Sequence, residues 1–566
     1  MTRPAPAAPA PSPYAARPWL ALLSPDQRAP FTPLPSPVHA LRAAAARAPR
    51  HPALVHEAGS LAYAELDART DTLARHLLAL GLGDGARIAV RLQNGPALVL
   101  AALAVWKAGA VLVPVNPMYR AAELRHVLTD SGALALIRAH TPTAADDPAA
   151  GLADGLADTP VRVLLTTDED TPRPARPASA PPGTAAHDLW TLAEDPRPEA
   201  LPPLPAPPGP EDTALLGYTS GTTGAPKGAI NPHGALTHNA GRQVAGHPIP
   251  EGAGYLVLAP LFHITGLVCE LVACLINAGT LILTGRFDAG RLLRACRAHR
   301  PAYTIGPTTA WLALIAHPEA DRDAFASFRV TSCGGAPVPA ALTARLRAEF
   351  GLVLRPGYGL TETTGGCASV PVHHPAEGVV DPASGTLSVG VPGAETLIRI
   401  LDDAGREVPL GAPGEIAVRG PQLARGYWNR PEADAEAFPD GELRTGDIGF
   451  MDEAGRLYVI DRKKDMINAS GFKVWPREVE DVLHAHPGVH EAAVVGVPDP
   501  YRGETVVAWI VPRGSVEDPA GLVAELLAHC ADRLAAYKRP RRIESVPVLP
   551  RTGSGKILRR ELRERG

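Results

Sequence analysis

Between residues 37 and 137 the apolar positions change period repeatedly. VHALRAAAARAP repeats at helical spacing, RIAVRL is a short strand-like run, PALVLAALAVWKAG is a long apolar helix pattern, and AVLVPVN is a buried strand. Such alternation predicts βαβ units and a largely parallel sheet. A second α/β stretch covers residues 214–368. Between the two, residues 138–212 are rich in Pro, Ala and Asp, with VRVLL as a strand-like island. They read as a surface insertion and linker. After residue 368 come short strands with turns, TLIRILDDAGREV, GEIAVRG and GRLYVID, which predict a small β-rich subdomain. The pattern resets after DRKKD. VWPREVEDVLHAH predicts a helix, EAAVVGVPD and ETVVAWIVPR predict strands, and residues 518–536 predict a second helix.

The predicted fold class is therefore α/β. A large domain over 37–463 carries two α/β sheet subdomains and the β-rich subdomain. A small α+β domain over 464–566 follows, with the boundary in the charged residues 461–465. A chain of 566 residues is too long for one ordinary core,. The first 36 residues are Pro/Ala-rich and read as a disordered tail. They lack the apolar core of a signal peptide. The most apolar region, 255–284, contains His263, Glu270, Asn277 and Gly279, so it reads as buried strand, helix and strand rather than a membrane span,.

Composition narrows the partners. A net charge of −4 gives no electrostatic case for nucleic acid or an anionic membrane,. Small-molecule substrates are expected, with at most peripheral membrane contact, and a monomer or homodimer. The six cysteines form no CxxC pair and no cluster at metal spacing. They read as reduced thiols in a cytoplasmic protein.

Lysine usage points to candidate chemistry. Of 55 basic residues only seven are lysine: Lys107, Lys227, Lys463, Lys464, Lys473, Lys538 and Lys556. Lysine is a compact, mobile point charge and arginine a rigid fork. A charge that must reach into a phosphate cluster and withdraw suits lysine. Lys227 closes YTSGTTGAPKG, in which Thr219, Ser220, Thr222 and Thr223 alternate with Gly221 and Gly224. Small glycines let backbone N–H groups turn inward as an anion nest, and the hydroxyls add donors. A Walker loop is excluded, because Ala225 and Pro226 separate Gly224 from Lys227 and Gly228 follows,. GSGK at 553–556 also fails that pattern, because Ile557 follows the lysine.

YTSGTTGAPKG resembles the signature loop of the adenylate-forming superfamily, which includes acyl-CoA synthetases, peptide-synthetase adenylation domains and beetle luciferases. The resemblance continues in order through LAYAEL, WKAGAVLVPVNP, PLFHITG, SCGGAPV, GYGLTET, ELRTGDIG, DRKKDMINASGFKVWPREVE and PRTGSGKILRREL. It implies ATP and Mg²⁺ as cofactors and makes the small C-terminal domain a mobile lid. Thr219 to Lys227 would grip the phosphates, with Thr222 and Glu362 at the metal. Gly334, Gly335 and Ala336 would line the purine, with Tyr358 and Gly359 beside it. Thr361 would touch the α-phosphate, Asp447 would accept both ribose hydroxyls, and Arg462 would reach ribose or phosphate. Lys556 would be the adenylation catalyst, a cation held between two approaching anions. Lys464 matches the hinge position, where dihedral change rather than chemistry is absorbed. Gly471, Phe472 and Lys473 would neighbour coenzyme A.

The acid is expected to be hydrophobic and monocarboxylic. Amino-acid-activating relatives carry Asp where this chain has His263. His263 with Leu267, Trp311, Cys333 and Cys367 forms an apolar or small candidate acyl pocket without a cation. The stretches around SGFKVWPREVE and DRKKD look most like bacterial fatty-acyl-CoA ligases. The chain ends ten residues after Lys556, so the expected acceptor is CoA, or a separate carrier protein. A medium- or long-chain fatty acid is thus the expected substrate, with aryl or coumarate-type acids as the alternative. A non-catalytic nucleotide-binding protein is the rival from another class, and the joint presence of Lys556, Glu362 and Asp447 argues against it.

Overall fold

The computed structural model describes residues 12–140, 156, 158–168, 183–219, 225–335, 338–375, 378–382, 385–469, 472–499, 503–514, 518–551 and 557–565. The βαβ units form as predicted. Pro96–Lys107 is a helix buried on every side, held by Trp106 Nε1 donating to Ala214 O at 2.9 Å. The strands flanking it, Arg87–Arg91 and Val111–Pro114, pair in parallel. They belong to a seven-stranded sheet that ends in Thr213–Thr219 and Lys227–Pro232. Lys107 is structural: its buried ammonium meets Asp67 Oδ1 at 2.5 Å and Asp71 Oδ1 at 2.6 Å.

A nine-stranded sheet uses the second α/β stretch. Its central strands Gly254–Leu256, Tyr303–Gly306, Val330–Cys333 and Leu354–Leu360 are parallel neighbours, and Gly365–Ser369 and then Val391–Pro392 continue it antiparallel. Residues 255–284 are strand, helix and strand, as the polar interruptions require. No helix among the described residues is long and apolar enough to cross a membrane. Leu397–Leu401, Gly414–Arg419, Leu443–Met451 and Leu457–Arg462 form the β-rich unit, a four-stranded antiparallel sheet. From Ile467 onward a separate five-stranded sheet packs on helices Pro476–His484 and Pro519–Arg533.

Two expectations need correction. Residues 138–212 are more than insertion: Val163–Thr167 and Ala185–Asp188 are strands of the seven-stranded sheet. Ala185–Asp188 escaped notice because AAHD carries no apolar alternation. The N-terminal segment is also ordered from residue 12. Tyr14 and Trp19 are fully buried against the β-rich sheet, and Tyr14 Oη donates to Val408 O at 2.9 Å. Pro/Ala-rich composition hid two aromatic anchors.

Candidate active site

Thr219 and Lys227 lie opposite each other in the antiparallel pair that brackets the signature loop. Ser220, Gly221, Thr222, Thr223 and Gly224 lie outside the described residues, as do Ala336, Gly471 and Lys556. On its other side Lys227–Pro232 hydrogen-bonds to residues 425–428. Ile230 N donates to Gly426 O at 2.9 Å, and Trp428 N donates to Gly228 O at 2.8 Å. This pairing delivers Tyr427, which sequence reasoning missed. The Lys227 ammonium sits 5.2 Å from the centre of the Tyr427 ring. The Tyr427 hydroxyl donates to Glu362 Oε1 at 2.7 Å. Burial and the Glu362 carboxylate push the Tyr427 pKa up, so the phenol stays a donor,. Tyr427 therefore ties the loop lysine to the candidate metal ligand. Nothing in GYWN signals this role.

A second polar cluster joins three distant motifs. Tyr358 Oη donates to Asp447 Oδ2 at 2.7 Å, and Arg462 Nε pairs with Asp447 Oδ1 at 3.2 Å. Antiparallel register sets Asp447 opposite Arg462. Burial and Asp447 together push the Tyr358 pKa up. Gly334 and Gly335 follow the strand Val330–Cys333, beside Leu354–Leu360, which carries Tyr358 and Gly359. A Cβ at Gly359 would lie 1.9 Å from the Gly365 carbonyl oxygen, so this hairpin closes only on glycine. Asn231 Nδ2 fixes Thr361 by donating to its carbonyl at 2.8 Å. Mg²⁺ is commonly held by one or two protein carboxylates with phosphate oxygens and water, and the buried Glu362, held by Tyr427, fits that demand,.

Both nucleotide and acyl candidates open onto one cavity of about 180 Å³. Gly334, Gly335, Tyr358, Gly359, Thr361, His263 and Cys367 all line it. His263 caps the short helix Ile264–Gly266, its Nδ1 accepting from Thr265 N at 3.3 Å. Leu267, Trp311 and Cys333 do not reach the cavity. Leu267 packs in the large core, Trp311 Nε1 donates to Ser332 O at 3.2 Å, and Cys333 sits 3.5 Å from the Thr308 hydroxyl. Apolar residues at such positions read alike in sequence whether they face a pocket or a core. The wall instead uses Asn239 and Gln243 from helix His233–Gly246, with Thr265, Cys269 and Ser332. It also contains cations, against expectation. Arg242 pairs with Glu395, and Arg355 donates to the carbonyls of Pro371 at 3.1 Å and Val372 at 2.8 Å. Glu395 balances the Arg242 charge, whereas Arg355 keeps its positive charge and is solvated by the two carbonyls. Burial and Arg242 push His238 down to about 4, so its imidazole is neutral near pH 7.

Glu270 stands beside this wall, in the π-helical turn Leu267–Val272. It is fully buried. Its Oε1 accepts from Leu258 N at 3.1 Å, Ile305 N at 3.3 Å and Ala259 N at 3.5 Å, while Oε2 has no hydrogen-bond partner among the described residues. Burial pushes the carboxyl well above its ordinary range.

The linker between the two domains is anchored on both sides of Lys464. Lys463 pairs with Asp403 at 3.1 Å and Glu415 at 3.3 Å in the β-rich unit. Asp465 pairs with Arg563 at 2.8 Å and Arg559 at 3.9 Å on the C-terminal side. Lys464 itself is exposed. Phe472 and Lys473 occupy an exposed hairpin away from the cavity, with Phe472 stacked on Tyr537 at 4.7 Å.

The sequence matches the family described as AMP-binding enzyme over residues 41–428, and the AMP-binding enzyme C-terminal domain over 478–556. The chain belongs to the AMP-binding enzyme family. It is 40% identical over 518 residues to a feruloyl-CoA synthase from an Amycolatopsis species, covering 91% of this chain and 96% of that protein. It is 35% identical over 541 residues to a long-chain-fatty-acid–CoA ligase of Escherichia coli O6:H1, covering 92% of each. It superposes with TM-score 0.76 on an O-succinylbenzoate coenzyme A synthetase from Bacillus subtilis solved with ATP and magnesium ion, at 29% identity, covering 94% of this chain and 100% of that one. The activity is that of the family's ATP-dependent acyl-CoA ligases, for which ATP, Mg²⁺ and CoA are the cofactors and co-substrate.

Proposed function

We propose that this ligase activates an aromatic monocarboxylic acid of the hydroxycinnamate type. The polar character of the cavity wall carries the reading. Asn239, Gln243, Thr265 and Ser332 place amide and hydroxyl groups among its apolar side chains, a lining that suits a polar-substituted aromatic acid better than a long alkyl chain. The 40% identity to a feruloyl-CoA synthase supports it. A fatty acid is the second reading, supported by the E. coli ligase at 35% identity.

The acid carboxylate attacks the α-phosphorus, pyrophosphate leaves, and the CoA sulfur then displaces AMP from the acyl carbon. Lys227 and the signature loop hold the phosphates, and Glu362, oriented by Tyr427, would hold Mg²⁺, which would neutralise charge on the phosphates. Asp447 and Arg462 hold the ribose side. Lys556 stabilises charge as the carboxylate meets the phosphate. Lys464 is the pivot between the two half-reactions. Pyrophosphate release should be followed with hydroxycinnamates, benzoate and saturated acids of increasing length. Turnover with hydroxycinnamates well above every saturated acid is the expected outcome. Turnover with saturated long-chain acids alone would return the substrate to the fatty-acid reading.

A further inference from the structure

The N-terminal segment ahead of the family match is built into the substrate cavity. Leu23 and Gln27 line it, beside Arg242, Gln243, Gly246 and His247. Their position along the cavity follows from helix His233–Gly246. Asn239 is pinned beside the nucleotide residues, its Nδ2 donating to Gly366 O at 2.7 Å and Thr363 O at 3.3 Å. Gly246 lies seven residues further along, roughly 10 Å at 1.5 Å per residue. Leu23 and Gln27 therefore stand at the end of the cavity remote from the adenylate.

Their placement is fixed by many contacts. Gln27 Oε1 accepts from Ser24 N at 3.0 Å, and Gln27 Nε2 donates to Gly246 O at 3.2 Å. Arg242 Nη1 donates to Gln27 O at 3.4 Å and Ala29 O at 3.1 Å, and its guanidinium lies 4.9 Å from the Phe31 ring centre. Thr237 Oγ1 donates to Leu34 O at 2.6 Å. His374 Nε2 lies 3.2 Å from Leu22 O. A Cβ at Gly241 would meet Phe31 Cζ at 2.3 Å, so the helix accommodates this strap at a glycine. Leu23 is 7% exposed, a side chain closed in by its surroundings.

We propose that the segment closes the distal end of the acyl cavity, and that Leu23 and Gln27 set how long an acid the enzyme accepts. The proposal rests on the reading of this cavity as the acid site. The segment acts by steric limit and by the Gln27 amide, and takes no part in the chemistry at the carboxylate.

The test compares kcat/KM for para-alkoxycinnamates and saturated acids of graded length. Leu23→Ala combined with Gln27→Ala should raise the ratio of long to short acids by about tenfold or more, a change of roughly 1.4 kcal/mol in transition-state discrimination. Leu23→Trp should move the ratio the other way. KM for ATP should stay unchanged in both, and thermal unfolding should show folded protein. Opposite shifts in the two variants cannot come from general destabilisation. A uniform change across all acids, or none, overturns the proposal while leaving the ligase reading intact. Absence of pyrophosphate release by the unaltered enzyme with every acid would sink both.

Discussion

At the scale of single residues, Tyr427 and Glu270 have the sharpest consequences. Tyr427→Phe keeps the ring beneath Lys227 but removes the 2.7 Å bond to Glu362. Hydrogen bonds to charged groups contribute about 1.5–3 kcal/mol. The variant should lose roughly ten- to hundredfold in kcat/KM for adenylate formation, and should need more Mg²⁺ for half-maximal rate. An unchanged Mg²⁺ requirement would leave Tyr427 a packing residue. Glu270 bears on stability. Its folded-state pKa lies above the unfolded value of about 4.3,. The stability it contributes is then fully present below the unfolded pKa and is lost as pH rises toward the folded one. Glu270→Gln cannot ionise and keeps Oε1 accepting from the three amides. Its stability relative to the parent should therefore grow as pH rises above the unfolded carboxyl range, measured by urea unfolding. A difference independent of pH would mean that the carboxyl is ionised in the folded state.

At the scale of elements, sequence pattern and structure agree wherever one period governs a segment. Pro96–Lys107, apolar on every face, could only be a buried helix, and the strands around it follow,. Three kinds of element stayed hidden. Ala185–Asp188 pairs at the margin of its sheet through backbone bonds, which AAHD cannot advertise,. The segment from residue 12 is tethered by isolated anchors, Tyr14 and Trp19, within a composition typical of disorder,. The π-helical turn Leu267–Val272 reads as an ordinary apolar helix, so nothing marks Glu270 beyond its being a charge in the wrong place,. The site divides the same way. Motif residues such as Tyr358, Asp447 and Arg462 were legible as candidates, and the structure gathers them into one cluster. Tyr427, Asn239, Gln243 and Leu23 were not, because only long-range packing brings them to the cavity or to Glu362. Leu267, Trp311 and Cys333 show the reverse error: composition suited to a pocket, but positions one layer inside the core.

For the whole molecule the question is how one chain serves two half-reactions. Lys463 belongs by its ion pairs to the β-rich unit and Asp465 to the C-terminal domain, so the rotation between the domains that we propose would fall on the exposed Lys464. Its two neighbours would resist translation yet leave its own dihedrals free. A proline there fixes one of them and restricts the residue before it. Lys464→Pro should slow thioester formation from supplied acyl-adenylate and CoA while leaving adenylate formation nearly intact. Lys556→Ala should do the opposite, costing roughly two to three orders of magnitude in adenylation, as expected when one charge-stabilising donor is lost. Single-turnover measurements of pyrophosphate release and of thioester formation separate the two steps. Equal losses in both half-reactions for either variant would deny it the assigned role. A double variant gives a further check. If pivot and catalyst act in different half-reactions, its adenylation rate should match that of Lys556→Ala alone, and its thioester rate that of Lys464→Pro alone. Any deficit beyond those values would mean that the two residues act in one domain arrangement rather than two.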